Sequence, residues 1–358
     1  MSLAHHTFAT IAERSGFDTL IDARAPSEFA LDHIPGAINC PVLNDAERAQ
    51  VGTLYKQVSP FAARKLGAVL VARNIAQHVE TLWSEQPRSW KPLVYCWRGG
   101  QRSGAFTHVL REIGWGAMRL QGGYKSWRQH VIGALQTLPQ TFPYRVVAGP
   151  TGSGKTRVLE ALQRQGEQVL NLEALAAHKG SVLGAMPNQP QPSQKMFETQ
   201  VYAALAQYDP QRPVYVESES RRIGQLRVPQ AVYEGIQAGQ WIALEAEVAQ
   251  RVQFLLRDYD YLLHGPQLAQ ALERLTELCG RASVARWQAM IAAGDFATLV
   301  GELLLQHYDL YYKRSLAQLQ SGAAGAGSCV LVADDLSPEG IEALARRIVR
   351  LAPAALAA

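Results

Sequence analysis

No uncharged apolar run in this sequence approaches the ~20 residues that a membrane-spanning helix requires, so a membrane-embedded protein is not expected. The first residues, MSLAHHTFATIAERSGFD, show no basic start followed by an apolar stretch, and no leader is expected there. Cysteine is scarce. Cys40, Cys96, Cys279 and Cys329 lie far apart and form no C-x-x-C pair, so they offer no zinc spacing, and a reducing compartment would keep them as thiols. Together these absences predict a cytoplasmic protein. An excess of charge is also lacking: 35 Lys and Arg stand against 31 Asp and Glu, giving +4 and an isoelectric point near 8.8. That balance permits nucleic-acid binding through phosphate contacts without requiring it. There is no internal repeat and no long low-complexity segment.

What is present suffices for two cores. At roughly 150 residues per domain, 358 residues predict two domains. Short apolar runs alternate with helical patterns, as in βα units. Strands are expected at Thr19–Ile21, Leu93–Tyr95, Met118–Leu120, Tyr144–Ala148, Gln168–Leu170, Val214–Val216, Trp241–Leu244 and Val330–Val332. Helices are expected near 103–113, 124–135, 154–163 and 337–351, with 247–316 mostly helical. The prolines of TLPQTFP, 137–143, place the boundary: one α/β domain over 1–138 and another over 139–358. Both read as open, mostly parallel sheets, whose ligand sites lie beyond the C-terminal strand ends. The segments 186–193 (MPNQPQPS) and 321–328 (SGAAGAGS) read as loops.

Cys96 ends the strand PLVYC and opens the loop CWRGGQRS, which runs into a helix. Gly99 and Gly100 let the backbone curl so that successive N–H groups of a nest point inward, and the helix N-terminus adds its positive end. Arg98 and Arg102 add guanidinium charge, and Gln101 and Ser103 complete the anion-binding loop. Surroundings of that kind favour a thiolate that attacks sulfur, selenium or phosphorus. Upstream, IDARAPSEFALDHIPGAINCPV (21–42) carries D-x-R-x-P-x-E-F-x-x-x-H-I-P-G-A-I-N and resembles the first block of the rhodanese superfamily. The resemblance implies that Asp22, Arg24, Glu28, His33 and Gly36 support the strand and the loops around the cysteine, with His33 structural. The C-x5-R-S spacing is that of cysteine phosphatases, one residue longer than in many sulfurtransferases, and suits a tetrahedral anion such as phosphate or selenophosphate.

Gly149-Pro150-Thr151-Gly152-Ser153-Gly154-Lys155-Thr156 matches G-x-x-x-x-G-K-[ST] between a strand and a helix, the context that a phosphate-binding P-loop needs. Amides of 151–156 would cradle a di- or triphosphate, Lys155 would neutralise it, and Thr156 could hold Mg²⁺. RPVYVESES (212–220) ends a strand in Glu217, a candidate metal or acid/base partner, with Glu219 following. No adenine-recognition signature accompanies the loop, so it predicts polyphosphate binding rather than ATP hydrolysis.

The order CWRGGQRS, LQGGYKSWRQ (120–129), GPTGSGKT, LEALAAHKGSVLGAMPNQPQPSQKMFE (172–198), VESESRRIG (216–224) and LLLQHYDLYYKRSL (303–316) resembles the bacterial tRNA 2-selenouridine synthases over most of the chain. The resemblance implies a rhodanese-like domain followed by a P-loop domain. The implied substrate is tRNA with 2-thiouridine at the wobble position. The base would be geranylated on sulfur from geranyl diphosphate, and the S-geranyl group then replaced by selenium from selenophosphate, with a selenophosphate-supplying enzyme as a partner. The diphosphate would occupy the P-loop, and Cys96 would serve the selenium step, as a perselenide carrier or by assisting selenophosphate. Asn171 and Ser218 stand where relatives are expected to have acids. Lys179, Arg221, Arg222, Arg227, Lys313 and Arg314 are candidate RNA phosphate contacts, and Trp97 or Tyr124 candidate base stackers. Tyr308, Tyr311 and Tyr312 read as packing, or as the wall of a geranyl pocket. The competing expectations are a rhodanese-fold cysteine phosphatase fused to a P-loop module, a small-molecule kinase or nucleotide switch, and a pure RNA-binding scaffold.

Overall fold

The computed structural model describes residues 7–181, 184, 189–218, 220–263, 267–310, 312 and 328–351. The chain divides into two compact units: Met1–Ala134 with Ser193–Gln200, and Leu135–Pro192 with Val201–Ala358.

The first unit runs β1 (Phe8–Ala9), β2 (Thr19–Asp22), α1 (Pro26–Leu31), β3 (Ala37–Asn39), α2 (Asp45–Gln57), α3 (Pro60–Leu82), β4 (Pro92–Tyr95), α4 (Gln101–Ile113), β5 (Met118–Leu120) and α5, which starts at Gly123 and runs to Thr137. Its five strands form a parallel sheet in the order β1-β5-β4-β2-β3. β4 is central and buried at every position, which is why its sequence is a continuous apolar run. Ile21, Val94, Phe106 and Leu110 form the core with Trp83, Trp90 and Trp115, whose rings meet tilted or edge-on at 5.0–5.3 Å. Between β3 and β4 the helices α2 and α3 form a hairpin. Asn44 and Glu47 close a capping box on α2, and Ser59 caps α3 ahead of Pro60.

The second unit begins with β6 (Tyr144–Ala148), α6 (Lys155–Arg164), β7 (Gln168–Leu170), α7 (Leu172–Ala176), α8 (Gln194–Leu205, whose first residues belong to the first unit) and β8 (Val214–Glu217). After the ribbon β9 (Arg222–Ile223) and β10 (Leu226–Arg227) come α9 (Gln230–Ala238) and β11 (Gln240–Glu245). Helices α10 (Val248–Asp258), α11 (Asp260–Leu263), α12 (Gln267–Glu273), α13 (Thr276–Cys279), α14 (Arg281–Ala293) and α15 (Phe296–Leu303) follow, then a π-helical turn, Leu304–Tyr308, β12 (Ser328–Val332) and α16 (Pro338–Val349). The parallel sheet has the order β12-β11-β6-β8-β7. The chain leaves β6 toward β8 and β7, then returns on its other side, so β6 is the switch point where α/β sheets bind ligands. Val147, Leu159, Ile242, Leu244, Leu331, Ile341 and Leu344 form the core, and Leu272, Leu275, Trp287 and Leu299 hold the helical segment together. Among the described residues no helix is long and apolar enough to cross a membrane.

Candidate active site

Cys96 follows the last residue of β4 and is almost fully buried, with Sγ 3.2 Å from Ser103 Oγ. The loop turns through Gly99, at φ 68°, where an added Cβ would lie 2.8 Å from Leu120 O. The second Gly pair supports it: Gly123, at φ 60°, has no room for a Cβ between Cys96 O and Gly99 N. Tyr124 N donates to Cys96 O at 2.8 Å, and Lys125 N to Trp97 O at 3.0 Å. Gly100 caps α4, so its first amides have no intrahelical partner, and among the described residues no backbone carbonyl accepts from the N–H groups of 98–103. These orphan donors, Gly100, Gln101, Arg102 and Ser103 among them, form a cradle beside the thiol that an anion would fit.

The block 22–36 supplies the frame. Asp22 and Arg24 are fully buried and paired at 2.6–3.0 Å; Arg24 also donates to Asp32 O and lies 3.9 Å over the Tyr124 ring. Glu28 accepts from Arg102 at 2.7 Å. Burial pushes the Glu28 carboxyl up, but the hydrogen bond and charge of Arg102 outweigh it and hold it below the usual range. His33 donates to or accepts from nothing in the loop: its Nδ1 bonds Phe29 O and its ring stacks on Phe29 at 3.8 Å. Gly36 turns at φ 81°. Arg98 is exposed, with no acidic partner among the described residues. Trp97 is 39% exposed, its ring centroid 5.3 Å from that of Tyr124. Tyr124 is itself buried. Its hydroxyl donates to Asp32 at 2.6 Å and Arg24 covers its face, so the expectation of a base stacker at this position is corrected. Cys40 is buried, and burial pushes its thiol up to about 12.

In the second unit Gly149 follows β6, and a Cβ there would crowd Ser153 Oγ and Leu244 O, while Gly152 and Gly154 turn at φ 83° and 80°. Among the described residues no backbone carbonyl accepts from the N–H of Thr151, Gly152, Gly154, Lys155 or Thr156, and the Ser153 hydroxyl is buried without a partner. This is a second cradle of unpaired donors, of a kind that an anion would fit. Lys155 Nζ lies 3.4 Å from Pro150 O and 3.7 Å from Glu217. Thr156 Oγ1 stands 3.1 Å from Glu217 Oε2 and 3.2 Å from Glu173 Oε2. Burial holds the Glu217 carboxyl above the usual range although Lys155 and Thr156 pull it down. One hydroxyl proton cannot serve two carboxylates. Glu173 was not singled out in the sequence; Asn171, the departure from an expected acid, accepts from Ala174 N as the cap of α7, which carries Glu173 in its first turn.

Arg251 was also missed. It is buried on α10, donates to Thr151 O at 2.8 Å and forks onto Asp309 at 2.6 and 3.0 Å. The available signal was its place in the stripe Val248, Arg251, Val252, Leu255, where the spacing otherwise brings apolar side chains.

Of the candidate RNA contacts, Lys179 pairs with Asp258 at 2.9 Å and lies over Tyr259, so it is committed within the protein. Arg221, Arg222 and Arg227 are exposed on and beside the β9–β10 ribbon, with Arg222 opposite Arg227. Tyr308 and Tyr312 are half-buried, and burial pushes both hydroxyls up to about 12. Lys313, Arg314, Tyr311 and Glu219 lie outside the described residues.

Residues 6–130 match the family described as Rhodanese-like domain, and residues 142–271 the family described as tRNA 2-selenouridine synthase AAA domain. A tRNA 2-selenouridine synthase of Nitrosomonas europaea is 39% identical over 247 residues, 67% of this chain and 63% of that protein. The chain therefore spans less than two thirds of that relative's length. One of Shewanella halifaxensis is 36% identical over 77% of this chain and 74% of its own, and one of Chromohalobacter salexigens 33% identical over 89% and 94%.

Proposed function

Because the chain belongs to the tRNA 2-selenouridine synthase family, we propose that it converts wobble 2-thiouridine in tRNA to 2-selenouridine, by S-geranylation from geranyl diphosphate followed by exchange of the S-geranyl group for selenium from selenophosphate. The observation that carries this reading is the presence of two cradles of orphan amides in one chain, one holding a cysteine and the other a lysine.

In the first step the uridine sulfur attacks C1 of the geranyl group, the C–O bond breaks and diphosphate leaves. The amides of 151, 152 and 154–156, together with Lys155, would stabilise that leaving charge as it develops. Thr156, Glu217 and Glu173 are hard oxygen donors and fit Mg²⁺, which takes one or two carboxylates together with substrate phosphate oxygens. When bound, Mg²⁺ would add positive charge against the diphosphate.

In the second step selenium must be released from selenophosphate. A perselenide on Cys96 would need a two-electron oxidant, because selenium in selenophosphate is already fully reduced. Attack of the Cys96 thiolate on phosphorus balances without one: the S–P bond forms, the P–Se bond breaks and hydroselenide leaves. Water then frees phosphate from the cysteine. Hydroselenide adds at C2 of the base and geranyl thiolate departs. The cradle of 98–103 faces the phosphoryl oxygens in this reading.

Incubating 2-thiouridine tRNA with the protein, geranyl diphosphate and selenophosphate, followed by mass spectrometry of the nucleosides, tests the whole sequence. Geranylated and then selenated uridine is expected. Cys96→Ser should accumulate the geranylated base, and Lys155→Ala should leave 2-thiouridine unchanged. Equal loss of both steps in Cys96→Ser would overturn this division. The C-x5-R-S loop favours one second reading, a cysteine phosphatase; Cys96-dependent turnover of aryl phosphates, with no change to the tRNA base, would establish it instead.

A further inference from the structure

The hairpin of α2 and α3 has no role in either cradle, and its charge is out of keeping with the rest of the chain. From Arg48 through Val79 there is not one Asp or Glu, while Arg48, Lys56, Arg64, Lys65 and Arg73 fall within it. With this stretch set aside, the remaining chain carries 30 Lys and Arg against 31 Asp and Glu, so the net positive charge of the molecule resides here.

The hairpin also exposes what globular helices normally bury. Tyr55, Val58 and Phe61 are 56%, 70% and 67% exposed, all at or beside the turn that joins the two helices. Lys56, Arg64 and Lys65 are exposed among them. Lys65 lies 5.1 Å over the Phe61 ring, and among the described residues Lys56 and Arg64 have no acidic partner. The turn itself is firmly built: Ser59 Oγ accepts from Phe61 N and Ala62 N, and a Cβ at Gly67 would meet Val51 in ordinary contact. Exposed rings held on a capped turn and interleaved with exposed cations suit unstacked bases flanked by phosphates.

The base of the hairpin is tied to the cysteine loop. Ser27 donates to Asp45, the first residue of α2, and Glu28 accepts from Arg102 at 2.7 Å while lying 3.7 Å from Arg48. From Arg48 to the turn, ten residues at ~1.5 Å each carry the exposed rings about 15 Å beyond that anchor.

We propose that the tip of the α2–α3 hairpin is an RNA-docking surface, on which tRNA phosphates meet Lys56, Arg64 and Lys65 and an unpaired base stacks on Tyr55 or Phe61. The partner is the tRNA of the reading above, on which this inference rests. The candidate phosphate contacts read from the sequence all lie in the second unit, so this surface is additional to them.

The test is the affinity of the full chain for an unmodified tRNA transcript, measured by fluorescence anisotropy over a range of salt. Combined Lys56→Glu, Arg64→Glu and Lys65→Glu should weaken binding about tenfold or more and flatten the slope of log K against log salt by about 2 to 3. Combined Tyr55→Ala and Phe61→Ala should weaken it roughly fivefold or more at an unchanged slope, because stacking releases no counterions. Both variants alter exposed side chains, and unchanged circular dichroism melting confirms the fold. Wild-type affinity and slope in both variants would overturn the proposal while leaving the enzymatic reading intact. So would loss of binding to anionic lipid vesicles, or of self-association by light scattering, with tRNA affinity preserved. No salt-dependent tRNA binding by the wild-type protein would instead remove the tRNA reading and this surface with it.

Discussion

Glu217 is a carboxylate taken out of water at the end of β8, with Lys155 at 3.7 Å and a threonine hydroxyl that it shares with Glu173. Burial outweighs both partners and raises its pKa. A carboxyl raised in the folded state contributes stability that is fully present below its unfolded pKa, about 4.3, and lost as pH rises through the folded value. Once ionised, the buried carboxylate therefore costs stability. Glu217→Gln should melt at a higher temperature than wild type, with the difference growing between pH 5 and pH 8. It should also bind Mg²⁺ more weakly in the presence of pyrophosphate, measured by calorimetry. A variant less stable than wild type across that range would show that Glu217 stabilises the fold rather than serving the site. The same scale explains why Glu173 escaped the sequence reading. Nothing in NLEAL distinguishes it from a surface acid, and only the fold brings it to Thr156.

At the scale of elements, Arg251 joins α10 to two things: the carbonyl of Thr151 inside the phosphate loop, and Asp309, which follows the π-helical turn. Single-turn π segments frequently interrupt regular helices at functional positions. The pair holds the loop at one side while the strand β6 holds it at the other. Asp309→Asn leaves a buried guanidinium without its counter-charge and should destabilise the protein by about 3–5 kcal/mol. Replacing both partners, Arg251→Met with Asp309→Leu, should recover most of that stability, since an apolar pair often matches a buried ion pair. It should not recover pyrophosphate affinity, because Thr151 stays untethered. Wild-type affinity in the double variant would mean that the pair is structural only. Strands of the two sheets were legible from short apolar runs: Tyr144–Ala148 and Gln168–Leu170, buried throughout, and Met118–Leu120, partly buried, lie where the pattern places them. The edge strands Phe8–Ala9 and Ala37–Asn39 were not, being two and three residues long and only partly buried. The α2–α3 hairpin also escaped, since α3 mixes apolar and basic residues around its circumference and shows no clean stripe.

On the scale of the whole molecule, each parallel sheet buries its own core and carries its own cradle at the C-terminal end of its central strand, Cys96 after β4 and Gly149 after β6. Both cradles were readable from glycine spacing, because close backbone approach leaves few residues that can substitute: the absence of room for a Cβ at Gly99, Gly123 and Gly149 is written directly into the sequence. A ligand that binds the folded form stabilises what it binds by RT ln(1 + [L]/Kd), and with separate cores that gain should stay in the unit that holds it. Hydrogen exchange makes the expectation specific. Inorganic pyrophosphate should slow exchange at the amides of 151–156 and through β6 and α6, leaving 97–103 at its free rate. Inorganic phosphate, as a stable probe for the phosphoryl part of selenophosphate, should protect 98–103 and β4. If pyrophosphate slowed both loops alike, the units would be one cooperative body, and the division of geranyl and selenium chemistry between them would have to be replaced by a single shared site.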